Sequence, residues 1–149
     1  MKTLCIALLY AAGMASSLAA EVTGTWRAVF TSPVSELPLG VGEMIFDLNA
    51  VEGKLTGMAH MGSWPGDAPL RDGKIEGDHI SFTVIGKNPW TSRSANGEAS
   101  GLPKLIFTGT IQGEQMQLTV MWDSAMLYGA TPARVRRYEM SGQKATTGQ

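Results

Sequence analysis

Cysteine and histidine are nearly missing from this chain of 149 residues, and no excess of either charge stands out. Cys5 is the sole cysteine and lies in an apolar N-terminal stretch. Once that stretch is set aside, no disulfide, thiolate nucleophile or cysteine metal site can be built. The 12 basic side chains do not outnumber the 13 acidic ones, so nothing is left over to neutralise a phosphate backbone. Nucleic acid is therefore not an expected partner. The two histidines, His60 and His79, form no metal-binding spacing with each other or with a carboxylate, and no cofactor is expected. Ser63, Ser92, Ser94 and Ser100 lie outside any Gly-x-Ser-x-Gly context. Beyond the first twenty or so residues, no window shows the apolar stripe of an amphipathic helix.

The N-terminus has the layout of a secretory signal. Lys2 supplies a positive start, residues 4–14 are apolar or small, and Ser17-Leu18-Ala19 places small residues where a signal peptidase reads. That run is shorter than the roughly 20 residues needed to span a bilayer, so no stable membrane anchor is expected. Cys5 sits within the run and well before the cleavage region, which argues against a lipoprotein. Cleavage after Ala19 or Ala20 is expected to remove Cys5 and Lys2, taking the formal charge from −1 to −2. The reading is thus a periplasmic or secreted protein with a signal over 1–20, a folded domain over 21–140 and a flexible tail over 141–149.

Within the domain the apolar period is two. Alternating segments fall at 25–31, 43–49, 54–61, 69–75, 79–87, 104–111, 115–122 and 133–140. Phe46 and Leu48 share a face, as do Ile80, Phe82 and Val84, and Met116, Leu118, Val120 and Trp122. The opposite faces carry Asp47, Ser81, Thr83, Thr108, Gln117 and Thr119. Antiparallel strands covering a core on one side read in this way.

The connections sort by length. Around Glu52-Gly53, Gly77-Asp78 and Gly113-Glu114 they are tight, and glycine supplies the positive φ that narrow hairpins require. The segments 32–42, 62–68, 88–103 and 123–132 are long. In an up-and-down meander successive connections emerge at opposite ends, and every long one follows an odd-numbered strand. The fold expected is an all-β, eight-stranded antiparallel up-and-down barrel with its long loops at one end, the alternative being an open sandwich.

Val22-Thr23-Gly24-Thr25-Trp26 resembles the Gly-x-Trp opening of the calycins, the lipocalin-like and avidin-like barrels. That resemblance implies a tryptophan at the closed end of the first strand with a basic residue of the last strand across it. Here Arg136 or Arg137 is expected beside Trp26. Gly53-Lys54-Leu55-Thr56-Gly57 looks like a hairpin of avidin-type proteins, although Arg27-Ala28 departs from the avidin ligand contact. The domain as a whole is similar in style to uncharacterised secreted bacterial proteins with a Gly-Thr-Trp first strand.

Trp64, Trp90 and Trp122 fall at or beside the long-loop end, with Met61, Met126 and Tyr128 near them. Three such rings represent about 450–750 Å² of surface. They either cap the barrel or line a mouth. The mouth is preferred, with Trp64, Trp90, Trp122, Met61, Tyr128, Phe107 and Met44 as ligand-contacting candidates for an apolar, aromatic or sugar-like molecule. One alternative is a small isomerase, cyclase or hydrolase using His60, Asp123 or Glu43 as acid–base groups near the mouth. Another is an envelope protein that meets a protein partner through the loop patch. His60 shares parity with Thr56 and Met58 and is expected to point out of the barrel.

Overall fold

Along most of the barrel strands every second residue is buried, and it is the apolar one. In β2 (Glu43–Val51) the inward residues are Met44, Phe46, Leu48 and Ala50. In β5 (His79–Ile85) they are Ile80, Phe82 and Val84. The computed structural model describes residues 21–31, 42–62, 66–87, 90–94, 97–123 and 136–146, without the side chains of 90–94, 97–101, 123 and 136. Its other barrel strands are β1 (Gly24–Phe30), β3 (Lys54–His60), β4 (Ala68–Glu76), β8 (Lys104–Gln112), β9 (Gln115–Asp123) and β10 (Arg136–Lys144). Together they form a closed barrel in the order β1-β10-β9-β8-β5-β4-β3-β2, antiparallel throughout. The remaining pair, β6 (Trp90–Ser94) and β7 (Gly97–Gly101), makes a separate hairpin within the connection between β5 and β8. Closure removes both sheet edges, which an open sandwich would leave exposed.

The tight connections are two-residue turns closed by the pairs Val51↔Lys54, Glu76↔His79 and Gln112↔Gln115. Glu52 and Gly53 both have positive φ, 49° and 76°, as a type I′ turn requires, whereas the other two turns place Gly77 (64°) and Gly113 (58°) first. Each turn is also bonded to the strand beyond it. Ile75 N–H donates to Gly53 O at 2.9 Å, Ile111 N–H to Asp78 O at 2.9 Å, and Lys144 N–H to Glu114 O at 3.0 Å. These backbone bonds step from strand to strand around one end of the barrel and pin it.

Trp26 fills that end. Its ring is wholly buried, and its Nε1–H donates to the carbonyl of Val22 at 2.8 Å. The basic partner across it is Lys144, not Arg136 or Arg137. Lys144 Nζ lies 5.8 Å from the ring centroid and donates to the Glu21 carbonyl at 2.7 Å. Trp26 is in register with Lys144, whereas Arg136 and Arg137 face Trp122 and Met121 at the other end. The expected partner was displaced because β10 continues past residue 140. Of the residues expected in the tail, 141–144 pair with β1 and 141–143 also with β9. The inward position there is Gly142, opposite Ala28, where a Cβ would sit 3.1 Å from the Ala28 Cβ. A glycine inward position carries no apolar signal, so the period seemed to stop one position early.

The charged look of β4 has a similar local cause. Leu70↔Val84 and Arg71↔Thr83 are in register, but the next pair is Lys74↔Ser81, one residue longer on the β4 side. The bulge puts Asp72 at φ 52°, a left-handed conformation that aspartate tolerates better than most residues. Asp72→Val should therefore lower unfolding free energy by about 1–2 kcal/mol, with Asp72→Gly neutral or slightly stabilising. Denaturant melts of the two variants check this, and a neutral valine would show that the bulge relaxes without strain.

The middle of the barrel is solid. Phe82 and Phe107 stack at 4.8 Å with 14° between planes, and Phe46 meets both edge-on at 5.4 and 5.3 Å. All three rings are buried.

Candidate functional site

The four connections after β1, β3, β5 and β9 leave the barrel at the end opposite Trp26, as the sorting of lengths requires. Their bases are tied by Thr31 N–H to Glu139 O at 2.9 Å, and by Gly86 N–H to Pro103 O at 2.9 Å. Apolar side chains face inward at this end. Met44 is the second residue of β2, Met61 follows β3, and Trp122 lies one residue from the end of β9, beside Leu105 of β8. All are buried, with Trp122 2% exposed. Phe107 belongs instead to the aromatic stack in mid-barrel, beneath this set. Trp90 opens β6, opposite Gly101, and its side chain lies outside the described residues. Trp64 and Tyr128 lie outside them altogether, as does Met126.

Two aromatic residues of this end were not singled out from the sequence. Phe30 closes β1 and Tyr138 sits near the start of β10, and their rings meet edge-on at 6.2 Å with 89° between planes. Their inward parity was legible, but their mutual contact depends on the β1–β10 register, which the displaced end of β10 obscured.

Of the acid–base candidates, Glu43 and His60 face outward rather than into the mouth. Glu43 alternates with inward Met44 and binds Arg27 on the outer wall at 2.6 Å. That contact raises the Arg27 pKa through the Glu43 hydrogen bond and then its charge. The Asp123 side chain lies outside the described residues. His60 faces outward, as its parity implies, and both ring nitrogens meet carboxylates. Nε2 lies 2.9 Å from Asp47 Oδ2, and Nδ1 lies 3.0 Å from Asp67 Oδ2. Asp47 also accepts from the Thr25 hydroxyl at 2.6 Å, and Asp67 from the Met61 amide at 3.1 Å. The sequence reading saw no histidine–acid pairing because it looked for near spacing along the chain. The β2–β3 turn makes Asp47 and His60 diagonal neighbours, through the pairs Asp47↔Met58 and Ile45↔His60. Among the described residues, no group of three or more histidine, cysteine or acidic side chains is placed to hold a metal ion.

Fold and site together define a small closed eight-stranded antiparallel barrel, sealed at one end and elaborated by loops at the other. Neither a family model nor a curated protein matches the chain.

Proposed function

We propose that this protein is an exported, calycin-like barrel that binds one small apolar, aromatic or sugar-like molecule at its loop-rich end. The observation that carries this reading is the asymmetry of the two ends. Hydrogen-bonded turns and the Trp26–Lys144 plug occupy one end, while every long connection leaves from the other, above inward Met44, Met61 and Trp122. Calycin character is supported by the tryptophan of the first strand with a last-strand cation across it. The stacked phenylalanines fill mid-barrel, so the proposed site is a shallow cup above Met44, Met61 and Trp122, with Phe107 beneath them. Trp64, Trp90 and Tyr128 belong by sequence to the long connections at this end and are candidates for contact with the same molecule.

Shallow burial limits affinity. Covering about 300 Å² of apolar surface contributes about 7 kcal/mol before the cost of ordering the ligand, which corresponds to modest binding. A thermal-shift screen of the purified domain against fatty acids, aromatic compounds and monosaccharides tests the proposal. Stabilisation by one class that saturates with concentration is expected. No stabilisation by any of them, under conditions where the domain melts cooperatively, would remove the ligand reading.

A further inference from the structure

A neutral imidazole carries one N–H and one lone pair, so it can donate to one side only. His60 has an aspartate on each side, at 2.9 and 3.0 Å. Both contacts are hydrogen bonds only when both ring nitrogens carry protons. Removing one proton sets a nitrogen lone pair against a carboxylate oxygen. Each aspartate is also held through its second oxygen. Asp47 Oδ1 accepts from Thr25, and Asp67 Oδ1 accepts from the Met61 amide. The arrangement ties together β1, β2, the end of β3 and the entry to β4.

We infer that His60 is a proton-controlled clasp on the loop-rich rim, closed by the imidazolium and opened on the Asp67 side when the proton leaves. Asp67 yields because its anchorage is the weaker one. Asp47 sits within β2, which is in continuous register with both β1 and β3. Asp67 precedes β4, whose pairing with β3 at this end rests on Met58↔Pro69 and Ala59↔Ala68 before the register shifts. Pro69 has no N–H to contribute to that seam. The inference concerns the rim itself and stands whether or not the cup above it takes a ligand.

The charged surroundings set the pH window. Asp67 and then Asp47 accept from the ring and hold its pKa above the ordinary 6.5. Asp47 is held below the usual carboxylate range by the Thr25 hydroxyl and then by His60, and Asp67 chiefly by His60. From beyond β5, Lys87 adds a favourable charge to Asp67. On the other side Arg27 shares the cross-strand row Arg27↔Ile45↔His60 and is occupied by Glu43. A raised histidine pKa contributes stability that is complete below 6.5 and is lost as pH rises through the folded value. The depressed aspartates contribute above their ordinary range and lose that contribution as pH falls through their folded values. The clasp is thus closed between the pH at which the aspartates protonate and the raised His60 pKa, and it opens as pH rises through that pKa. Solvent screens the exposed groups, so the effect is local rather than global.

The test is an NMR titration of the full chain from about pH 5 to about pH 9, following the His60 ring and the backbone amides of Met61 and Ala68. The expected ring midpoint lies above 6.5, and both amides should follow it. Asp67→Asn should lower the midpoint and flatten the Met61 amide response. Asp47→Asn should lower the midpoint and leave that response in place. A wild-type midpoint at or below 6.5, or amides that do not follow the ring, would overturn the clasp. The wild-type titration decides this without any variant.

Discussion

Replacing Trp26 with alanine should lower the unfolding free energy by about 3–5 kcal/mol, the range for large aromatic truncations in a core. The ring is wholly buried at the pinned end and pairs in register with Phe46 on one side and Lys144 on the other. Its loss empties the plug and leaves the Val22 carbonyl without the indole donor at 2.8 Å. It also removes the aromatic face beneath Lys144, a cation–π contact that contributes about 0.5–2 kcal/mol. Trp26→Phe keeps most of the apolar volume and should cost clearly less. Urea melts of the two variants measure both numbers. A loss below about 1 kcal/mol for the alanine variant would mean that Trp26 does not hold the closed end together.

Phe46→Ala should cost a similar amount, about 3–5 kcal/mol. Phe46 is fully buried and meets both Phe82 and Phe107 edge-on, a geometry that places ring edges against electron-rich faces. Truncation opens a void that Phe82 and Phe107, already stacked on each other, cannot fill without leaving their contact. This variant also separates two pictures of the interior. In a barrel held open for a deep ligand, the removed ring would have been facing an empty space and its loss would cost little. In a barrel filled to mid-height the full penalty appears. The structure has the second arrangement, so a loss under about 2 kcal/mol would contradict it.

The barrel's strand number, strand faces and the sorting of loops were legible because they depend on local chemistry, whereas the hairpin β6–β7 within 88–103 was read as loop. Period-two alternation marks a half-buried strand, and Glu52-Gly53, Gly77-Asp78 and Gly113-Glu114 announce their turns through glycine. Counting parity then sends the long connections to one end without any tertiary information. What failed was decided by pairs of residues far apart in the chain. The end of β10 was hidden because Gly142 occupies an inward position opposite Ala28, so the apolar period stops while the pairing continues. With that strand cut short, Arg136 and Arg137 took the place beside Trp26 that Lys144 occupies. The bulge at Asp72 had no signal except charge within a strand.

The candidate site divides the same way. Trp122, placed inward by parity, and the candidates Met61 and Met44 are buried at the loop-rich end, whereas the candidate Phe107 lies lower in the stack. Parity gives the face but not the height along the barrel. Height needs the register, which each two-residue turn fixes for its own hairpin. Applied to β2 and β3, that register also brings Asp47 next to His60. Asp67 comes from a long connection whose path no residue pattern dictates.

The division of labour between the two ends is the central claim, and one paired measurement tests it. Binding of an apolar fluorescent probe, 1-anilinonaphthalene-8-sulfonate, is titrated on the wild type, Trp26→Ala, Trp90→Ala and Trp122→Ala, each under conditions where denaturant melts show it folded. The account predicts saturable binding to the wild type and to Trp26→Ala. It predicts loss of binding in Trp90→Ala and Trp122→Ala, each at a smaller cost in stability than Trp26→Ala. If those two variants lose as much stability as Trp26→Ala and the probe binds all four proteins alike, the tryptophans of the loop-rich end are a lid on a filled core and the end is not a binding site.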